Sequence, residues 1–270
     1  IDVSLPSRPS VVIRSLTSGN MDLVPEKADT TSFGFVYSPS WLPQFTGSID
    51  YYDIKINGAI GTVGLQNTVD RCVLGEADLC KLIIRDGTGQ IVNILNIPVN
   101  VNTQRNTGLD YEFSFRQSLG DYGNVRLRAL FSNTMNDYTI NNRVKTDRVG
   151  QLTGVRPDWK WNVNVTYDWD RLQMALTARG FSDGVYDNRW VSGVDIDDNK
   201  IEGADYLDFS ASYRLLNDGG RNIVAYGNID NLLDTPPVTV ANNANSNRGV
   251  NVDLYDTIGR SYRVGLRFRY

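Results

Sequence analysis

The sequence predicts an all-β fold, an antiparallel transmembrane β-barrel meander. Three observations carry this expectation. Segments of about 9–14 residues alternate apolar and polar side chains, and successive side chains of a strand point to opposite faces. The connections between them are short and long in turn. The polar positions hold mainly Asn, Ser, Thr, Gly and Arg, not the Lys and Glu that coat a soluble sandwich.

In chain order, "TSFGFVYS" sets Phe33, Phe35 and Tyr37 on one face, and "FTGSIDYYDIKI" (45–56) is a less regular strand. "TGLDYEFSFR" opposes Leu109, Tyr111, Phe113 and Phe115 to Asp110, Glu112, Ser114 and Arg116. "NVRLRALFS" sets Val125, Leu127, Ala129 and Phe131 against Arg126, Arg128 and Ser132. "WKWNVNVTYDW" is the most regular, with Trp159, Trp161, Val163, Val165, Tyr167 and Trp169 on one side. Its terminal aromatics suit the girdles at the two membrane interfaces. "LQMALTARG", "YLDFSASYR" and "RNIVAYGNIDNL" follow. The chain closes on "TIGRSYRVGLRFRY" (257–270), in which Tyr262, Val264, Leu266, Phe268 and Tyr270 alternate with Ser261, Arg263, Gly265, Arg267 and Arg269. About fourteen residues at roughly 3.3 Å span ~45 Å, enough to cross a bilayer core at a tilt of about 45°. The count is nine strands, longer than the ~5–6 residues usual in soluble proteins. Long loops near 57–105, 137–158, 182–204 and 233–256 face short turns at the other end, the layout of an outer-membrane barrel.

Composition excludes several classes. With 27 basic and 31 acidic residues the net charge is −4, so nucleic acid is not an expected partner. No apolar run approaches the ~20 residues of a membrane-spanning helix, and mean hydropathy is −0.32, a test to which alternating strands are invisible. The chain has no His, which excludes Ser-His-Asp and Cys-His catalysis, so no catalytic residue, metal site or cofactor is expected. The alternatives are a passive porin-like barrel and a soluble β-sandwich binding protein, the latter with Trp159, Trp161, Phe209 and Phe268 in a protein core.

Four stretches in order resemble the C-terminal part of TonB-dependent outer-membrane receptors: "LVPEKADTTSFGFVYSP" (23–39), "NTGLDYEFSF" (106–115), "NIDNLLDTPP" (228–237) and "YDTIGRSYRVGLRFRY" (255–270). Leu233 and Tyr270 stand where the family commonly has Phe. The resemblance implies a cell outer-membrane receptor that captures a scarce small nutrient, an iron chelate, carbohydrate or similar, and imports it with TonB energy. It implies that residues 1–270 are the last nine strands of a barrel of about 22, with the plug and TonB-coupling segments outside this chain. The lipid bilayer and the barrel-assembly machinery are then partners. Tyr262, Val264, Leu266, Phe268 and Tyr270 match the family's terminal assembly signal.

Cys72 and Cys80 lie in the longest loop, "DRCVLGEADLCK". An exported loop sits in an oxidising compartment, which favours a disulfide over two free thiols. The resemblance supports the pairing, since similar receptor loops carry a Cys pair before Arg-Asp and Gly, as in "IRDGTGQI" (84–91). In the loop 182–205, Tyr186, Asn188 and Trp190 are candidates to stack on and hydrogen-bond a ligand. The carboxylates Asp195, Asp197, Asp198 and Glu202 lack a Ca²⁺-loop spacing and read as a solvated charged loop.

Overall fold

The computed structural model describes residues 13–141, 144–218, 221–240 and 249–269. Nine strands follow one path: β1 (Lys27–Tyr37), β2 (Phe45–Gly61), β3 (Val99–Ser118), β4 (Asn124–Asn141), β5 (Trp159–Trp169), β6 (Leu172–Phe181), β7 (Ala204–Asp218), β8 (Arg221–Asp230) and β9 (Ser261–Arg269). Each is hydrogen-bonded to its neighbours in sequence, and a short strand, Val144–Asp147, adds to β4. The pairings from β4 to β9 are antiparallel. The path stays open, with β1 and β9 at its ends.

Register fixes the faces. Leu127, Val165, Leu176, Phe209, Ile229 and Tyr262 are successive partners across six strands, so they form one apolar row. The row Arg126, Thr166, Ala175, Ser210, Asn228 and Arg263 lies on the opposite face. A one-residue slip in any strand would transfer its whole apolar set to the polar side. The alternation breaks at Arg214-Leu215-Leu216, where the β7–β8 register shifts.

The apolar face is open. Phe33 is 69% and Val264 86% exposed, and Trp159, Phe268 and Leu266 are exposed as well. The sandwich alternative required Trp159, Trp161, Phe209 and Phe268 in a protein core; none of the four belongs to the three buried clusters among the described residues. The aromatics of β5 turn their polar tips to the strand ends. Tyr167 donates to Tyr122 O (2.6 Å) and Trp169 Nε1 to Asp121 O (3.0 Å) at the short-turn end. At the other end Trp161 Nε1 donates to Asp205 Oδ1 (3.1 Å). Its indole passes over Gly180, where a Cβ would stand 2.7 Å from the ring, so only glycine admits it.

Two expectations change in detail. The closing strand has nine described residues, Ser261–Arg269, instead of about fourteen. Residues 257–260 belong to the preceding loop, because Asp256 caps the Ile258 N–H and Asp234 holds both the amide and the guanidinium of Arg260. Nine residues still match the ~9–11 of a tilted membrane strand. Tyr270 lies outside the described residues. Second, the longest loop contains helix, α1 (Leu65–Val73) and α2 (Ala77–Cys80). No helix of the described residues is long and apolar enough to cross a membrane.

The chain divides into two compact units, residues 1–29, 54–105 and 139–146, and residues 30–53, 106–138 and 147–270. The first holds α1, α2 and a small sheet in which Ile91–Leu95 pairs parallel with Arg14–Leu16 and antiparallel with Ile83–Arg85. The second holds β5–β9 and three loops.

Candidate functional site

The three long connections of the second unit, 147–158, 182–203 and 231–260, share one apolar core. Leu152, Ile201, Val240 and Tyr255 come from the loops, and Phe181, Ala204 and Tyr206 from the adjoining strand ends. Polar contacts tie the same loops. Val185 N donates to Gly150 O (2.8 Å), Thr153 Oγ1 to Tyr186 O (2.6 Å) and Asn251 Nδ2 to Leu152 O (2.8 Å). The Tyr255 hydroxyl donates to Glu202 O, and Tyr206 Oη accepts from Asp256 N (3.0 Å). Burial pushes the Tyr255 hydroxyl up to about 12.

The "NIDNLLDTPP" stretch forms the exit from β8. Asn231 is fully buried at φ +52°, a left-handed conformation that Asn tolerates better than most residues. Its amide bridges to both Thr235 backbone groups, and its own N–H donates to Asp208 Oδ1 (2.8 Å). Sequence reading identified this motif only through its resemblance; its work here is to clamp the loop to β7.

Of the three candidate ligand residues, the structure separates the roles. Tyr186 is half-buried against the loop core. Asn188 Nδ2 donates to Asp147 O (3.1 Å) and Val149 O (2.9 Å), bracing two loops together. Trp190 is exposed beside Val191 and Val194. Asn199, which sequence reading missed, is buried and ties the tip by donating to Asp187 O and Trp190 O. Arg189 donates to both oxygens of Asp187, holding its carboxyl below the usual carboxylate range. Asp195 accepts from Val191 N and Asp198 from Lys200 N. No group of three potential metal ligands occurs among the described residues.

In the first unit, Cys72 and Cys80 have sulfurs 2.14 Å apart and Cα atoms 4.8 Å apart, linking α1 to α2. Between them Glu76 accepts from Arg71 Nε (2.9 Å) and Nη2 (2.5 Å). Ile91 and Ile94 pack with Val69 in one small core, and Val63, Leu79 and Leu82 form another.

The polar face of β3–β7 is cross-linked. Arg128 pairs with Glu112 (2.9 Å), Arg126 with Asp168 (2.6 Å) and Arg179 with Asp208 (3.0 Å). Ser132 donates to Asp110 and Asn164 to Thr177. On the edge strand, Tyr262, Val264, Leu266 and Phe268 are all exposed and share the apolar face with Phe209.

A nine-strand path with one exposed apolar face, one ion-paired face and loops packed at one end is what a wall segment of a membrane barrel requires. The comparisons agree. The family model described as TonB dependent receptor-like, beta-barrel matches residues 8–232. No curated protein matches the sequence. Among solved structures, a variant of the ferric enterobactin receptor PfeA from Pseudomonas aeruginosa in complex with enterobactin is similar (14% identity, TM-score 0.60, 93% of this chain and 32% of that one). So are the siderophore receptor PirA from Acinetobacter baumannii (16%, 0.58, 94% and 33%) and the copper transporter OprC (17%, 0.53, 93% and 32%). The chain spans about a third of the length of these proteins, and identities this low speak to the fold alone. From the family match, the chain belongs to the TonB-dependent receptor β-barrel family, a family of outer-membrane transport receptors.

Proposed function

We propose that this chain is wall and extracellular loop of an outer-membrane receptor that captures a scarce small nutrient and imports it with energy from the TonB complex. The observation that carries the reading is the two-faced nine-strand meander whose long loops fold into a shared core at one end. Strands persist in lipid only with backbone groups paired and an apolar face outward. The open apolar row from Leu127 to Tyr262 meets the second requirement, and the ladder from β4 to β9 meets the first within this chain. Residues 1–270 then form the C-terminal portion of a larger barrel, whose plug and coupling segments make the contact with TonB. Tyr262, Val264, Leu266, Phe268 and Tyr270 present the assembly machinery with its docking strand. The Cys72–Cys80 bond holds the helical loop in the oxidising exterior.

The nutrient is captured at the loops. Trp190 offers an exposed ring, while Tyr186 and Asn188 shape the loop beneath it. The named relatives handle ferric enterobactin, siderophores and copper, so chelated iron and copper are the first substrates to try. The test is uptake by cells carrying the full-length receptor, with TonB present and deleted. Uptake of a labelled ferric siderophore, copper or oligosaccharide that needs both receptor and TonB is expected. Uptake that persists without TonB would mean a passive pore.

A further inference from the structure

Both ends of the 231–260 connection lead back to one side chain. Arg179 of β6 stands opposite Tyr206 of β7 in the register, and diagonal to Asp208. Its guanidinium lies over the Tyr206 ring, 4.6 Å from the centre, and its Nε donates to Asp208 Oδ2 (3.0 Å). Each of these partners holds one end of the loop. Asp208 Oδ1 accepts the Asn231 N–H (2.8 Å), where the chain leaves β8. Tyr206 Oη accepts the Asp256 N–H (3.0 Å), shortly before β9. Tyr206 falls in the polar register of β7 with Asp208 and Ser210, yet it is buried. By contrast, Arg126–Asp168 and Arg128–Glu112 tie strand to strand. The loop's ends are also joined to each other, through Asp234 and Arg260.

We propose that Arg179 is a positioning residue that latches the 231–260 loop to the barrel wall at both ends, so that the loop is held or released as one piece. Charge-assisted hydrogen bonds are the strong ones, and a guanidinium makes them in a fixed plane. By taking one oxygen of Asp208, Arg179 orients the carboxylate so that the other oxygen meets the Asn231 N–H. By lying flat on Tyr206 it fixes the ring whose hydroxyl meets Asp256. The loop supplies Val240 and Tyr255 to the core that three loops share, so the grip on its ends sets how firmly that core is closed.

The test is hydrogen exchange in the purified full-length receptor, read at segments 231–235 and 254–256. Arg179→Gln speeds exchange about ten-fold at both. Arg179→Lys keeps a charge for Asp208 without the planar face on Tyr206, so it speeds 254–256 and leaves 231–235 near the parent rate. Asp208→Ala speeds 231–235 directly and 254–256 by about three-fold. That second effect passes through the freed arginine and disappears when Arg179 is already Gln. Segments that respond separately, each only to its own partner, would make these contacts ordinary braces and overturn the proposal. A cross effect that survives in Arg179→Gln overturns it too, since it would run through Asp234 and Arg260. Should Arg179→Gln fail to assemble, Arg179→Lys decides: both segments unchanged, or changed alike, overturns the latch. None of these rates needs transport, so a receptor that fails to import would still give them.

Discussion

Val264 in β9 is 86% exposed, whereas Tyr206 at the start of β7 is 2% exposed. Both sit in strands of one sheet, and the difference marks two regions that keep apolar side chains in different ways. The sheet leaves its apolar face open, which the proposed function covers with lipid. The loops at the end of β5–β9 bury theirs in a core of their own, as loops in water must. The sheet's stability therefore depends on what lies outside the chain, and that of the loops on contacts within it. A substitution should be read by which region it strikes.

The largest expected effect breaks the sheet. Leu266→Arg places a charge on the lipid face, at a cost of roughly 2–4 kcal/mol near the midplane. The full-length receptor should lose its heat-modifiable band in outer-membrane fractions, while Arg267→Gln keeps it. The reverse result would exchange the two faces of β9. Leu152→Ala acts only on the loops. Removing this buried side chain should cost about 2–5 kcal/mol and open the 147–158 segment to protease, with the barrel band unchanged. Loss of the barrel band would join the two regions into one cooperative unit.

A third substitution separates the loop units. Cys72→Ser should loosen the α1–α2 segment by about 2.5 kcal/mol on the loop-closure relation, seen as faster hydrogen exchange over residues 65–95. Exchange in 182–203 should not change. The smallest effect is a pH dependence. Tyr255 has a folded pKa of about 12, above its ordinary value of 10.0. The stability it contributes is complete below pH ~10 and is lost as pH rises through about 12. Limited proteolysis of the 231–260 loop should quicken over that window, and Tyr255→Phe, which loses the bond to Glu202 O, should flatten the response.

The sheet was readable from sequence because its order is written at a period of two. "WKWNVNVTYDW" is strand β5 to the residue, since every other side chain belongs to the open apolar face. The loops carry no such period. Leu152, Ile201, Val240 and Tyr255 are isolated apolar residues about 100 positions apart at the extremes, and only the fold brings them together. Helix α1 was missed for a local reason. It is nine residues long and begins at Gly64 with no side-chain cap, so neither length nor a start signal marks it. Asn188 shows the limit for site residues. Its polarity suggested a ligand, but its amide is spent on Asp147 and Val149, and a sequence does not show where a hydrogen bond goes.

The shared core under the loops also bears on how a receptor of this kind would answer its cargo. Leu152, Ile201, Val240 and Tyr255 each need the others to stay dry. No one loop can swing away without exposing the side chains of the rest, so movement at Trp190 is resisted by all three. A nutrient touching only the 182–203 tip would be felt by the whole assembly at once. On the proposed function, such a loop layer is either packed or released, with few states between.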